Sequence, residues 1–282
     1  VDLCEGVVLL KRRFVKGVLR LLAQGSAFAF CLAVSGAALA ASAPAVKGPQ
    51  VENPARVLLV GNSYLYYNDS LHNHLRRMVA EADAELGKAL QYKSATIGGA
   101  TLAHHNVDWL TGPGQIGVKE PFELVILQGH SAAALSEKRQ ADFRAAATAH
   151  AKIIAERGGK VALYMTHAYV PPHKQAKPEN IGLIDDFYVK TGNELGALVI
   201  PVGLAFDEAY RRDPAIRLHN AQDHSHPSLL GSYLAAATVY ATIYGRSPVG
   251  NAYDVYGAID AKTVAFLQQV AQDTVTGFFA RK

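Results

Sequence analysis

Val57-Leu58-Leu59-Val60-Gly61-Asn62-Ser63-Tyr64-Leu65 is the stretch that decides the fold. Four apolar residues, with a β-branched valine at each end, run into Gly-Asn-Ser. This reads as a buried strand ending in a tight turn with a serine at its tip. Asn68-Asp69-Ser70 then leads into Leu71 to Leu86, where apolar residues stand at 71, 75, 78, 79, 82 and 86. That spacing predicts a capped amphipathic helix, closed by Gly87. Such a unit exposes the serine hydroxyl at the end of a strand, a suitable place for a nucleophile. A strand-end serine can also do no more than close a turn, so distant segments must discriminate.

Outward from this unit, apolar runs and helical patterns alternate. Strands are expected at 90–97, 124–127, 161–165 and 198–202. Helices are expected at 138–157, 181–195, 205–211, 229–244 and 260–279, several of them closed by glycine. This alternation predicts an α/β domain with a parallel sheet and helices on both faces. Short apolar runs without alternation fit strands buried on both sides. In such a sheet the loops after the strands share one edge, where ligands bind.

The chain has 282 residues, 50% of them hydrophobic and 18% charged, a globular composition. Lys11, Arg12, Arg13, Lys16 and Arg20 precede an uncharged stretch, Leu21 to Ala40, that ends in small residues. This is the plan of a secretory signal spanning 1–40. It implies an exported protein, periplasmic or extracellular, with no stable membrane anchor after cleavage. A membrane anchor is the alternative reading of the apolar stretch. Residues 41–56 read as a linker, and 57–282, the greater part of the roughly 242 residues left after cleavage, as one domain. Both cysteines, Cys4 and Cys31, fall in the signal, so no disulfide is expected in the mature chain. Of the formal charge of +4, most lies in residues 1–40, which carry five basic and two acidic side chains. The rest is nearly neutral and gives no reason to expect a nucleic-acid partner.

The chemistry-bearing residues follow strand ends or lie near the end of the chain. Acyl transfer needs a nucleophile, a base, a carboxylate that orients the base, and donors for an oxyanion. Ser63 fits the first. Asp223 and His226, three apart, can present a carboxylate and an imidazole from one turn of loop. The backbone N–H groups of Ser63 and Gly99 fit the fourth, because glycine lets a substrate approach closely. A side-chain donor from Gln128, or as second choice His130, would complete the hole. Tyr64 and Trp109 are candidates for an aromatic wall against the substrate, and packing is the competing reading for both.

The order Gly61-Asn62-Ser63, Gly98-Gly99, a polar block at 128–131 and Asp223-x-x-His226-Pro227 resembles the SGNH (GDSL-like) hydrolase superfamily, over nearly the whole mature chain. The resemblance implies a three-layer α/β/α, flavodoxin-like fold with a parallel sheet of about five strands. It also implies a Ser–His–Asp triad without metal or other cofactor, in which Ser63 is nucleophile, His226 base, Asp223 its orienter and Gly99 an oxyanion donor. Two departures stand out. Asn62 replaces the usual aspartate before the serine. Leu127-Gln128-Gly129-His130-Ser131 replaces Gly-x-Asn-Asp and is similar to the Gln-Gly pattern of carbohydrate acetylesterase branches.

Together these features predict a secreted serine esterase acting on short acyl esters, with O-acetyl groups of polysaccharides as the candidate substrate. A small-molecule ester is the other candidate. An O-acyltransferase using the same triad and a non-catalytic carbohydrate-binding protein of the same fold remain alternatives. His72-x-His74, His104-His105 and His224-x-His226 also invite a metal reading. His72 and His74, two apart at a helix start, point to different sides.

Overall fold

A computed structural model describes residues 42–282; the expected signal, 1–40, and residue 41 lie outside the described residues. The strands are β1 (Val57–Gly61), β2 (Lys93–Thr96), β3 (Leu124–Gln128), β4 (Lys160–Tyr164) and β5 (Leu198–Ile200). They form one parallel sheet in the order β2-β1-β3-β4-β5. Every residue of β1 and β3 is buried, as continuous apolar runs require in a sheet covered on both faces.

The two-residue period of the strands sorts their side chains between two cores. Val57, Leu59, Leu124 and Ile126 point into one, which also takes Leu71, Leu75 and Met78 of α2 (Leu71–Ala82) and Phe206 of α7 (Val202–Arg212). The same core holds most of α8 (Leu229–Tyr244) and the apolar face of α9 (Ala261–Phe279). Leu58, Val60, Val125 and Leu127 point into the other, against α5 (Glu137–Glu156) and α6 (Asn180–Leu195). The result is the expected three-layer α/β/α arrangement.

Two local differences have physical causes. The helix expected at 71–86 breaks at Asp83, which ends α2 and caps α3 (Ala84–Ala89) by accepting a hydrogen bond from the Leu86 N–H. Gly87 therefore lies inside α3, where a Cβ would come within 2.7 Å of the Ala80 backbone. The segment read as a linker is tied to the domain. The Ala45 N–H donates to Asn193 Oδ1, Asn193 Nδ2 donates to the Ala43 carbonyl, and Gln50 donates to the Gly196 carbonyl.

Candidate active site

The turn after β1 carries the serine because its backbone is pinned from three sides. Gly61 has no Cβ; one placed there would lie 2.3 Å from Gln128 Oε1. That close approach lets Oε1 accept from the Asn62 N–H at 2.8 Å. Asn62 caps the short helix α1 (Ser63–Tyr66) by accepting from the Tyr64 N–H. Its side-chain amide donates to the carbonyls of Ala100 and Gly129. One asparagine thus joins the loops after β1, β2 and β3, work that an acceptor-only aspartate could not do.

Ser63 is the first residue of α1. Its Oγ donates to His226 Nε2 at 2.7 Å, and His226 Nδ1 donates to Asp223 Oδ2 at 2.7 Å. The other oxygen of Asp223 accepts the N–H groups of Ser225 and His226, each at 2.9 Å. His224, between Asp223 and Ser225, sits at φ 54°, a left-handed conformation that curls the loop back onto the carboxylate. Desolvation acts to raise the Asp223 pKa. The two backbone bonds and the imidazole outweigh it and hold the carboxyl below its ordinary value.

Aromatic rings fix the His226 imidazole. Tyr67 stacks on the His226 imidazole, and Tyr64 meets its edge at a centroid distance of 5.7 Å. Behind them, His167 lies between Tyr64 and Phe206, at 4.3 and 4.2 Å from their ring centres. Its Nε2 donates to the Ser225 carbonyl at 2.9 Å, while the buried Nδ1 has no partner among the described residues. Burial holds His167 well below the ordinary histidine value, so the ring is neutral. His167 lies three residues past the end of β4, which places it at the same edge of the sheet as Ser63. That position was the sequence signal for a residue the motif comparison did not single out.

The remaining candidates divide. The N–H groups of Ser63 and Gly99 donate to no group among the described residues, and Gly99 is exposed at φ 68° in the turn after β2. Gln128, expected as an oxyanion donor, is fully buried. One end of its amide holds the Asn62 N–H and the other donates to the Gly129 carbonyl. Full burial leaves its amide nothing to present to a substrate, so that expectation is corrected. His130 lines a cavity of about 240 Å³ with Gly99. Its Nδ1 accepts from the Ala132 N–H at 3.1 Å, and desolvation, then nearby Arg139, lower its pKa. The neutral ring therefore carries its proton on Nε2.

Tyr64 is also corrected. It is 5% exposed, and its hydroxyl bonds Ser225 Oγ at 2.9 Å, so it braces the loop that carries His226. Trp109 is exposed on α4 (Val107–Leu110), but Arg157 ties the neighbouring Asp108 to the end of α5, three residues before β4 begins. Trp109 thus lies toward the opposite edge of the sheet from Ser63. His74 is held by Tyr253 and the Asn68 carbonyl. Among the described residues no three His, Cys, Asp or Glu side chains converge as a metal site would require.

No family model matches the chain, and no curated protein matches it. Solved structures do. A DUF4886 family protein from Bacteroides uniformis superposes with a TM-score of 0.60 at 20% identity, covering 78% of this chain and 94% of that one. A protein from Slackia heliotrinireducens described as a candidate SGNH hydrolase gives 0.51 at 23% identity, over 67% and 99%. An acetylxylan esterase from Geobacillus stearothermophilus gives 0.52 at 14% identity, over 68% and 95%. The chain has the fold of these proteins, and its resemblance to SGNH hydrolases extends from motif to architecture.

Proposed function

We propose that this protein is a serine ester hydrolase. The observation that carries the reading is the unbroken chain from Ser63 Oγ through His226 to Asp223, two hydrogen bonds of 2.7 Å each. Ser63 Oγ attacks the ester carbonyl carbon as its proton passes to His226 Nε2. Asp223 keeps the Nδ1 proton in place and stabilises the imidazolium. The oxyanion forms against the N–H groups of Ser63 and Gly99, with His130 Nε2–H as the side-chain donor. Collapse breaks the bond to the alcohol, which takes the proton from His226. Water then gives a proton to the same nitrogen as it attacks the acyl-enzyme; collapse breaks the bond to Ser63 Oγ, which takes that proton back from His226, and the acid is released.

Short acyl esters are the proposed substrates, with O-acetyl groups on a polysaccharide as the favoured class. Fold neighbours described as acetylxylan esterases support this, including one whose catalytic mutant replaces a serine by alanine. Export, read from residues 1–40, would bring the enzyme to such polymers outside the cytoplasm. Hydrolysis of p-nitrophenyl acetate, butyrate and octanoate by the protein and by Ser63→Ala tests the reading. Activity confined to the parent and greatest on acetate is expected. Equal activity in Ser63→Ala would overturn it.

A further inference from the structure

The arginines among the described residues differ in whether a carboxylate neutralises them. Arg56, Arg157, Arg211, Arg212, Arg246 and Arg281 each pair with a carboxylate. Arg144 lies over Phe187, and Arg217 donates to backbone carbonyls. Like these two, Arg76, Arg77 and Arg139 form no ion pair among the described residues, and all three line cavities, one of them walled by Asp69 and the other by Gly99.

The larger cavity, about 550 Å³, holds Arg76 and Arg77 of α2 on one side and Tyr253, Val255 and Tyr256 on the other. Tyr256 is 74% exposed, with the Arg77 guanidinium 5.6 Å from its ring centre. Two strained segments shape the walls. Asn68, Asp69 and Ser70 have φ between 52° and 67°, and Val255 and Tyr256 have φ of 61° and 58°. Consecutive non-glycine residues in this region persist only where the surroundings hold them, commonly at ligand clamps. This cavity adjoins the base: Asp69 in its wall is two residues from Tyr67, and Asn68 donates to the Pro227 carbonyl next to His226. The smaller cavity, with Arg139, Gly99 and His130, belongs to the opposite face of the sheet, where Phe143 packs. Ser63 begins the turn after β1, six residues before Asp69 of the larger cavity, and the loop after β2 that carries Gly99 of the smaller one is tied to that turn through Asn62.

The acids present do not cancel these cations. Asp69 offsets one of the two arginines in the larger cavity, and Asp142 in the smaller is already paired with Lys138. A guanidinium with free donors beside an exposed aromatic ring suits a sugar that carries a carboxylate.

We propose that the substrate is an ester on an anionic glycan. Carboxylate-bearing sugars on either side of the esterified unit engage Arg76 and Arg77 in one cavity and Arg139 in the other, with a ring stacked on Tyr256. The proposal rests on the esterase reading of Ser63.

The test compares kcat/KM on acetylated oligogalacturonates and acetylated cello-oligosaccharides of equal length. The parent is expected to favour the anionic series by about tenfold or more. That preference should shrink in Arg76→Gln/Arg77→Gln and in Arg139→Gln, and in high salt. It should survive in Lys160→Gln, at the opposite edge of the sheet. Calorimetry of unesterified oligogalacturonate with Ser63→Ala separates binding from turnover. Salt-sensitive binding that the arginine substitutions remove supports the anionic ligand even if no ester is cleaved, in which case only the esterase reading falls. Turnover of neutral esters without oligogalacturonate binding overturns the proposal and leaves the esterase. A preference or binding unchanged by the arginine substitutions overturns it too.

Discussion

Tyr67 lies flat on the imidazole of His226, with ring centroids 4.2 Å apart and planes 9° from parallel. The ring comes from the same turn of chain as Ser63, since the Tyr67 N–H donates to the Ser63 carbonyl. Ser63 and the His226 ring are thus positioned by one short segment. In the proposed reaction His226 accepts the serine proton, and the face of the Tyr67 ring then meets a cation, an interaction of roughly 0.5–1 kcal/mol at a partly exposed site. Tyr67→Leu should lower kcat/KM for p-nitrophenyl acetate roughly twofold to fivefold, and Tyr67→Phe, which keeps the ring, should restore it. A Phe variant as impaired as Leu would place the effect in the hydroxyl and not in the stack.

Gln128 should behave as part of the scaffold. Gln128→Leu leaves the buried Asn62 N–H without an acceptor, a loss of roughly 1–3 kcal/mol, readable as a lower urea midpoint with unchanged slope. Activity should fall with it, because the same bond aims the serine turn. A variant with parent stability and a kcat loss of about a hundredfold or more would mark Gln128 as an oxyanion donor after all.

The frame of the site was legible in the sequence and the direction of several side chains was not. Val57–Val60 and Leu124–Leu127 read as buried strands because an unbroken apolar run suits only a doubly covered sheet. Asp223 and His226 were legible because three-residue spacing in a loop lets both functions face one point. Gln128, by contrast, follows its strand at the expected place, but spacing does not say which way a polar side chain turns. It turns inward because Gly61 leaves it room. Tyr64, beside the serine, enters the first turn of α1 and is carried down onto His167. The helix break at Asp83 was hidden because apolar periodicity continues across it, through Leu86.

Trp109 offers a separating test of the cleft. It is 49% exposed but sits toward the edge of the sheet remote from Ser63. Trp109→Ala should leave kcat and KM for acetyl esters at parent values. A raised KM would place the substrate much farther along the surface than the cavities beside Gly99 and Asp69.

Asp223→Asn tests the orienting carboxylate. The substitution preserves size, and its oxygen can still accept the Ser225 and His226 N–H groups. Its amide, however, presents a donor to Nδ1 and favours the tautomer whose Nε2 carries the proton and cannot accept from Ser63. A kcat loss of about a thousandfold to ten-thousandfold is expected, with little change in thermal midpoint. A loss under about tenfold would mean that another group orients His226.

Acid should destabilise the fold through the histidines beneath the catalytic loop. His219 donates through Nε2 to the Ala168 carbonyl and accepts at Nδ1 from the Tyr210 hydroxyl. Desolvation is the main cause that lowers its pKa from 6.5 to about 4. Between those values the unfolded chain holds a proton that the folded chain refuses. Stability therefore rises with pH across the window; this contribution is complete above about pH 6.5 and lost as pH falls toward 4. One such group accounts for roughly 3 kcal/mol at most. His167, displaced in the same direction by burial, adds to the effect. Urea unfolding at pH 7 and pH 4.5 should show a marked loss in the parent and a smaller loss in His219→Gln, which does not titrate, with the His167 contribution remaining. Equal losses in both proteins would show that His219 does not carry the acid sensitivity.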